Sequence, residues 1–312
     1  MTVSPATQTQ VFDPKVTAHF RASAELYRLW SPEGHLHFGY WAWPMNPFRR
    51  KLMLEALVHH VVRELEPEPQ KCFADLGCGY GSAARLVAQA YDARVEAFTV
   101  VEEQVQEGAI AAVSDGTHDR VTMKLRDFRD TGLPDASVDG VYALESLCYG
   151  TGPDKSDVLG EAARILKPGA RLATADGFLV KKAHGLRKTM VDTITNGWAL
   201  PCFPDLKRFA HALEANGFTN VQVEDLSWKM GPCALHGVPL LAYTLAKRWL
   251  SGEGMEPLEK AHLRSCALGI LLGTQHSLFR YCMVTATRLS ASGCGADAAE
   301  VGSSRVDMSF AG

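Results

Sequence analysis

Asp75-Leu-Gly-Cys-Gly-Tyr-Gly81 decides the reading of this chain. It follows a short apolar run, KCFADLG (71–77). It opens GSAARLVAQAY (81–91), whose apolar residues recur at helical spacing. Glycine at 77, 79 and 81 permits a tight turn and lets backbone come close to a ligand. A loop of this kind, leaving the carboxyl end of a first strand, is where open α/β sheets bind ligands. A dinucleotide site would carry G-x-G-x-x-G with pyrophosphate on the helix N-terminus. Here the spacing is G-x-G-x-G, and Asp75 stands before the loop. A carboxylate there repels a pyrophosphate and suits a cationic ligand.

Outward from the loop, strand-like and helix-like segments alternate from about 71 to 228. RVEAFTVV (94–101) is β-branched and EEQVQEGAIAAV (102–113) is helical. RVTMKLRDF (120–128) reads as a strand, and after the turn TGLPDAS (131–137) comes VDGVYALES (138–146). DKSDVLGEAARIL (154–166) is helical and stopped by Lys-Pro-Gly169, before the strand ARLATADGFLV (170–180). DLKRFAHALEANGF (205–218) is a helix ending at Asn-Gly, followed by TNVQVEDLSW (219–228). Such alternation predicts βαβ units and a mostly parallel sheet covered on both faces. Residues 13–66 precede this pattern and are rich in aromatics and His. Residues 230–276 form a helical insertion before a last strand, YCMVTATRL (281–289).

The loop resembles the cofactor loop of class I S-adenosylmethionine (AdoMet) methyltransferases, and further motifs follow in that family's order. FTVVEEQV (98–105) is similar to the segment after the second strand in the cyclopropane-synthase and tocopherol-methyltransferase branch. Arg126-Asp127-Phe128 matches the adenine-binding position, and Leu166-Lys-Pro-Gly169 the turn before the fifth strand. The resemblance spans about 20 to 288. It implies a Rossmann-like α/β sheet with an N-terminal helical cover and a helical lid inserted before the last strand. The expected organisation is a disordered N-terminus (1–15), a helical, aromatic cover (16–66), an AdoMet-binding domain (67–289, lid 229–276) and a disordered tail (290–312). AdoMet is the expected cofactor. The residues expected to hold it are Tyr27, Asp75, Gly77, Gly79, Gly81, Gln104 (with Glu102 as the alternative), Asp127 and Phe128.

Two segments bear on the methyl acceptor. Ala24-Glu-Leu-Tyr-Arg-Leu-Trp30 and Gly34-His-Leu-His-Phe-Gly-Tyr-Trp41 resemble the N-terminal part of tocopherol, sterol and prenyl-diphosphate C-methyltransferases. Similar His-x-Gly-Tyr-Trp segments occur in glycine/sarcosine and phosphoethanolamine N-methyltransferases. Ala143-Leu-Glu-Ser-Leu-Cys-Tyr149, then Asp154-Lys155, looks most like bacterial C-methyltransferases of geranyl or farnesyl diphosphate. The resemblance implies methylation of an isoprenoid alkene. The π bond takes the methyl, aromatic faces stabilise the carbocation, and a carboxylate removes a proton; rearrangement or cyclisation can follow from the cation.

Glu145 is the expected base, with Tyr40 and His184 as further catalytic candidates. Trp30, Phe38, Trp41, Arg126, Tyr149 and Trp198 are candidate substrate contacts. Arg126, Arg129, Lys181, Lys182, His184, Arg187 and Lys188 are candidate diphosphate ligands. Mg²⁺ is expected only as the companion of a diphosphate, since no Asp-rich cluster compels a metal. The competing reading is N-methylation of a small glycine- or ethanolamine-like amine, against which the apolar insertion speaks. A third is an AdoMet-binding partner without activity.

Composition narrows the field. The 312 residues are 46% hydrophobic, with 32 Lys and Arg against 35 Asp and Glu, a net charge of −3. That supports a sizeable core and argues against a nucleic-acid surface. Eight cysteines form no C-x-x-C pair and no zinc spacing, so reduced thiols are expected. MTVSPATQTQ (1–10) has no secretory character and no run is long enough to span a bilayer, so a cytoplasmic protein is expected. Oligomeric state stays open, a homo-oligomer included.

Overall fold

In the computed structural model, residues 12–252 and 254–290 are described. Of the ends expected to be loose, only residues 12–15 and 290 fall in that range, and Pro14 already opens a helix. Asp13 caps it by accepting from Lys15 N–H at 2.8 Å, and proline is preset for the first helical position.

The cover comprises α1 (Pro14–Ala22), α2 (Ala24–Trp30) and α3 (Arg50–Arg63). On α3, Met53, Leu54, Leu57, Val58, Val61 and Val62 are all buried, a stripe at helical period that packs on the sheet. The sheet then alternates with helices as expected. β1 (Cys72–Leu76), α4 (Ser82–Tyr91), β2 (Arg94–Thr99), α5 (Glu102–Ser114), β3 (Val121–Leu125) and β4 (Val138–Leu144) come first. A single 3-10 turn (Leu147–Tyr149), α6 (Ser156–Ile165), β5 (Leu166–Leu179), α7 (Gly185–Gly197), α8 (Leu206–Ala215) and β6 (Phe218–Asp225) follow. The insertion folds as α9 (Ser227–Ala234), α10 (Gly237–Ser251) and α11 (Pro257–Gly273), and β7 (Phe279–Arg288) closes the sheet.

Strand order is β3-β2-β1-β4-β5-β7-β6. The first five strands run parallel, and β7 lies antiparallel between β5 and β6. One difference from the sequence reading is local. Leu166-Lys-Pro-Gly169 is not a turn ahead of β5 but its first residues: Leu166 pairs with Val138, and an irregularity follows before Gly140 meets Arg171. Two large buried clusters fill the two faces of the sheet, one built on Leu57, Val61, Phe73 and Val87, the other on Leu76, Phe98, Leu159 and Phe209.

This topology sets the site. All five parallel strands deliver their carboxyl ends to one edge, and the cover and the lid close over that edge. The described cysteines are all free thiols. No described helix is long and apolar enough to cross a membrane, and no described group of three or more His, Cys, Asp or Glu side chains is arranged to hold a metal.

Candidate active site

Above the carboxyl edge lies a cavity of about 760 Å³, within the usual range for small-molecule sites. Gly77 and Gly79 line it from the loop after β1. The conformation there demands glycine. Gly77 has φ +95°, and a Cβ would lie 2.3 Å from the Cβ of Ser146. We expect Gly77→Ala to weaken AdoMet binding by more than about tenfold, since the loop must shift by roughly an ångström to clear Ser146; titration calorimetry on the folded variant reads this.

Gly81 is not part of the lining. It is the left-handed N-cap of α4. Asp75 lies at the end of β1, fully buried, and borders a small adjoining pocket with His35 and His37. Its Oδ2 has no well-formed hydrogen bond among the described residues, and burial pushes its pKa up to about 7, partly offset by the neighbouring Tyr142 hydroxyl. Gln104, on the first turn of α5, lines the cavity and is held by Thr99 Oγ1–H at 2.6 Å. Glu102 faces away, on the exposed side of that turn. Asp127 and Phe128 line the cavity after β3. Asp127 is gripped by Arg129, with Nε–Oδ1 at 2.9 Å and Nη2–Oδ2 at 2.5 Å, a bidentate fork.

Glu145 follows β4 and faces the cavity with φ +52°, a strained value for a non-glycine residue. Its Oε1 accepts from Phe38 N–H at 2.6 Å and from Tyr281 O–H at 2.7 Å, while its Oε2 takes no partner among the described residues. Burial raises its pKa to about 8, partly offset by those two donors. The adjacent strand supplies a second carboxylate. Asp176, 3% exposed, accepts from Cys148 N–H and Gly177 N–H, and burial raises its pKa to about 6.

The sequence reading missed Asp176 and Tyr281. The signal for Asp176 was present: a lone acid near the carboxyl end of an otherwise apolar strand, beside the one that ends at Glu145. It also missed a cluster on the lid side, where His262 Nε2 lies 3.4 Å from Cys266 Sγ and its ring contacts those of His19 and Tyr27. Burial lowers His262 to about 3 and His19 to about 4, so both stay neutral at pH 7.

Of the aromatic candidates from the sequence, Tyr27, Trp30, Phe38, Tyr149 and Trp198 line the cavity. Tyr40 and Trp41 do not. Gly39 presses on the Met53 backbone, with 2.5 Å left for a Cβ, so the chain crosses α3 there. Tyr40 then stacks on His60 at 4.3 Å, and Trp41 bonds the Met45 carbonyl. His184 is the exposed cap of α7, and Lys181, Lys182, Arg187 and Lys188 are exposed on the same loop and helix. Arg126 is turned toward Gly132 and Asp130, outside the lining. Arg129 is thus the only Lys or Arg among the described lining residues, and Asp127 already neutralises it.

Residues 74–174 match the family described as Methyltransferase domain. The O-methyltransferase of Pyrenophora dematioidea is 32% identical over 144 residues, which are 46% of this chain and 53% of the relative. The 27-O-demethylrifamycin SV methyltransferase of Amycolatopsis mediterranei is 35% identical over 153 residues, 49% of this chain and 56% of the relative. The chain thus spans about half the length of these two relatives. In three dimensions it superposes on geranyl diphosphate C-methyltransferase from Streptomyces coelicolor, solved with Mg²⁺, geranyl diphosphate and S-adenosyl-L-homocysteine. The TM-score is 0.63 at 19% identity, covering 92% of this chain and all of the other. The match begins at the glycine loop and runs into β5, so the stretch that carries the loop and Glu145 is a methyltransferase domain, set in a sheet of the class I AdoMet-dependent kind.

Proposed function

We propose that this protein transfers a methyl group from AdoMet to the hydroxyl of a largely apolar, uncharged acceptor, with Glu145 as the base. AdoMet, when bound, supplies an electrophilic methyl on a positively charged sulfur. The residues present suit it. Asp75 offers an unsatisfied buried oxygen to a cationic amino group, the Gly77–Gly79 backbone leaves room for close approach, and Gln104, Asp127 and Phe128, which line the cavity, are the ribose and adenine contacts this reading assigns.

The single observation that carries the reading is Glu145. One oxygen is anchored by two donors and the other is open to an aromatic cavity. Phe38 and Tyr281 fix the carboxylate so that Oε2 can take a proton from an acceptor hydroxyl. A base poised near neutral pH is efficient in that step. Asp176 accepts from Cys148 N–H and Gly177 N–H and keeps the wall beside Glu145 in place. The names of the two sequence relatives, both oxygen methyltransferases, support the same acceptor atom.

A second reading is favoured by the aromatic lining: methylation of an isoprenoid alkene, with Tyr27, Trp30, Phe38, Tyr149 and Trp198 stabilising the cation and Glu145 removing its proton. The geometric likeness to a geranyl diphosphate enzyme supports it as well. The diphosphate, and with it Mg²⁺, has less support, because of the basic residues expected to receive it only Arg129 lines the cavity, and Asp127 already pairs with it. A panel of lipophilic alcohols and phenols, geranyl and farnesyl diphosphates, and small amines, incubated with methyl-deuterated AdoMet and read by mass spectrometry, separates the readings. A labelled methyl ether is expected. A labelled carbon–carbon bond selects the second reading, and turnover of small amines alone overturns both.

A further inference from the structure

The lid exposes an apolar face that the reaction does not explain. On α10, Leu240, Leu241 and Thr244 point into the cavity, whereas Val238, Ala242, Leu245 and Trp249 are exposed along the opposite ridge. Trp249 is 82% exposed. The loop before α3 adds Trp43 and Phe48, each 84% exposed. Loop and lid form one surface: His236 Nε2 meets the Pro47 carbonyl at 2.7 Å, and Trp41 N–H donates to the Lys229 carbonyl at 2.9 Å.

Two further facts say what this surface meets. First, it contains a mouth of the cavity. Trp228 and Leu235 line the cavity and are yet 79% and 63% exposed, so the cavity opens between α9 and its surroundings, inside the apolar face. Second, its charges are cationic. Phe48 runs into Arg49-Arg50-Lys51, and Lys229 follows Trp228. Glu55 neutralises Lys51, and Glu25 pairs with Lys247 and Arg248, but the exposed Arg49 has no carboxylate partner among the described residues; Arg50, half-buried, lies over Trp30 and bonds the Leu29 carbonyl, and Lys229 lies over Tyr40. Indole and phenyl rings beside cations match the boundary between acyl chains and anionic headgroups.

We propose that this face docks on an anionic lipid surface and that the mouth at Trp228 and Leu235 admits an acceptor dissolved in the bilayer. The docking stands by itself; only the admission of an acceptor rests on the apolar-acceptor reading above. The full chain is floated with vesicles of phosphatidylcholine containing phosphatidylglycerol, and with phosphatidylcholine alone. Partition onto the anionic vesicles is expected to be roughly tenfold stronger, and to fall roughly tenfold in Phe48→Ser/Trp249→Ser and in Arg49→Glu. Methylation of a water-soluble acceptor stays unchanged in those variants, because none of the three residues touches the cavity. No partition onto either vesicle overturns the proposal. So does a dimer, seen by light scattering, that Trp249→Ser splits while vesicles are ignored; the face would then join two copies of the chain. Failure of the acceptor panel alone, with vesicle docking intact, would count against the reaction and not against the docking.

Discussion

Replacing Glu145 by glutamine is expected to lower kcat by about a thousandfold while leaving AdoMet affinity within about twofold, since general-base catalysis is worth 10²–10⁴ in rate. The amide keeps the size of the carboxylate and can still accept from Phe38 and Tyr281, so the site stays built. It cannot take a proton. Calorimetry for the cofactor and single-turnover rates for the transfer separate the two quantities, and a parallel loss of AdoMet affinity would make Glu145 a cofactor residue instead. The pH profile sharpens the test. With a pKa of about 8 the carboxyl is mostly protonated at pH 7, so kcat/KM should rise with pH and level off above about 8. A bound cation favours the ionised form, so the inflection in kcat should fall below that in kcat/KM.

The same carboxyl sets a stability trend. Its folded pKa lies above the unfolded value of about 4.3. The folded state therefore holds a proton that the unfolded state has released. Its contribution is fully present below about pH 4.3 and is lost as pH rises through about 8. Asp176, raised to about 6, acts in the same direction over a lower range. Urea midpoints of wild type should decline between pH 5 and 8 more steeply than those of Glu145→Gln.

Lys155→Met is expected to destabilise the fold by about 3 kcal/mol, one of the largest single losses available outside the apolar core. Lys155 is fully buried, at φ +56°, just before α6. Its ammonium donates to the carbonyls of Cys148 and Gly150 at 2.8 Å and of Cys202 at 2.9 Å. Methionine fills the space but leaves three buried carbonyls unanswered. The cost of the missing hydrogen bonds outweighs the relief from burying a charge. The bonds tie the loop carrying Cys148 and Tyr149 to the segment carrying Cys202. The variant should therefore also raise KM for the acceptor, without reducing the m-value of urea unfolding.

The α/β alternation was legible because the strands read as short apolar or β-branched runs, β1 closed by Gly77 and β5 opened by Pro168-Gly169, and the helices between them carry their own period. The loop at Gly77 was legible for the same reason: only glycine tolerates φ +95°. What stayed hidden was direction. Tyr40 and Trp41 share the composition of Trp30 and Phe38, yet the close contact of Gly39 with α3 turns them away. The basic run after β5 is rich enough for a phosphate, but α7 begins there on the outside and carries it into solvent. Tyr281 reaches Glu145, 136 residues away, only because β7 enters the sheet antiparallel beside β5, a pairing that local pattern does not encode.

That inserted strand has a consequence for how the molecule can be remodelled. The chain leaves the sheet after Asp225 and returns at Phe279, and Asp225 stands opposite Cys282 on β7, with Leu226 N–H bonded to the Tyr281 carbonyl. The two ends of the intervening 226–278 segment are therefore joined through the sheet, whatever lies between them. Segments of other lengths can be grafted at this junction with little change in closure entropy, which grows only slowly with loop length. The lid's share of the acceptor wall and of the proposed lipid contact can then be exchanged while the glycine loop and Glu145 are left untouched.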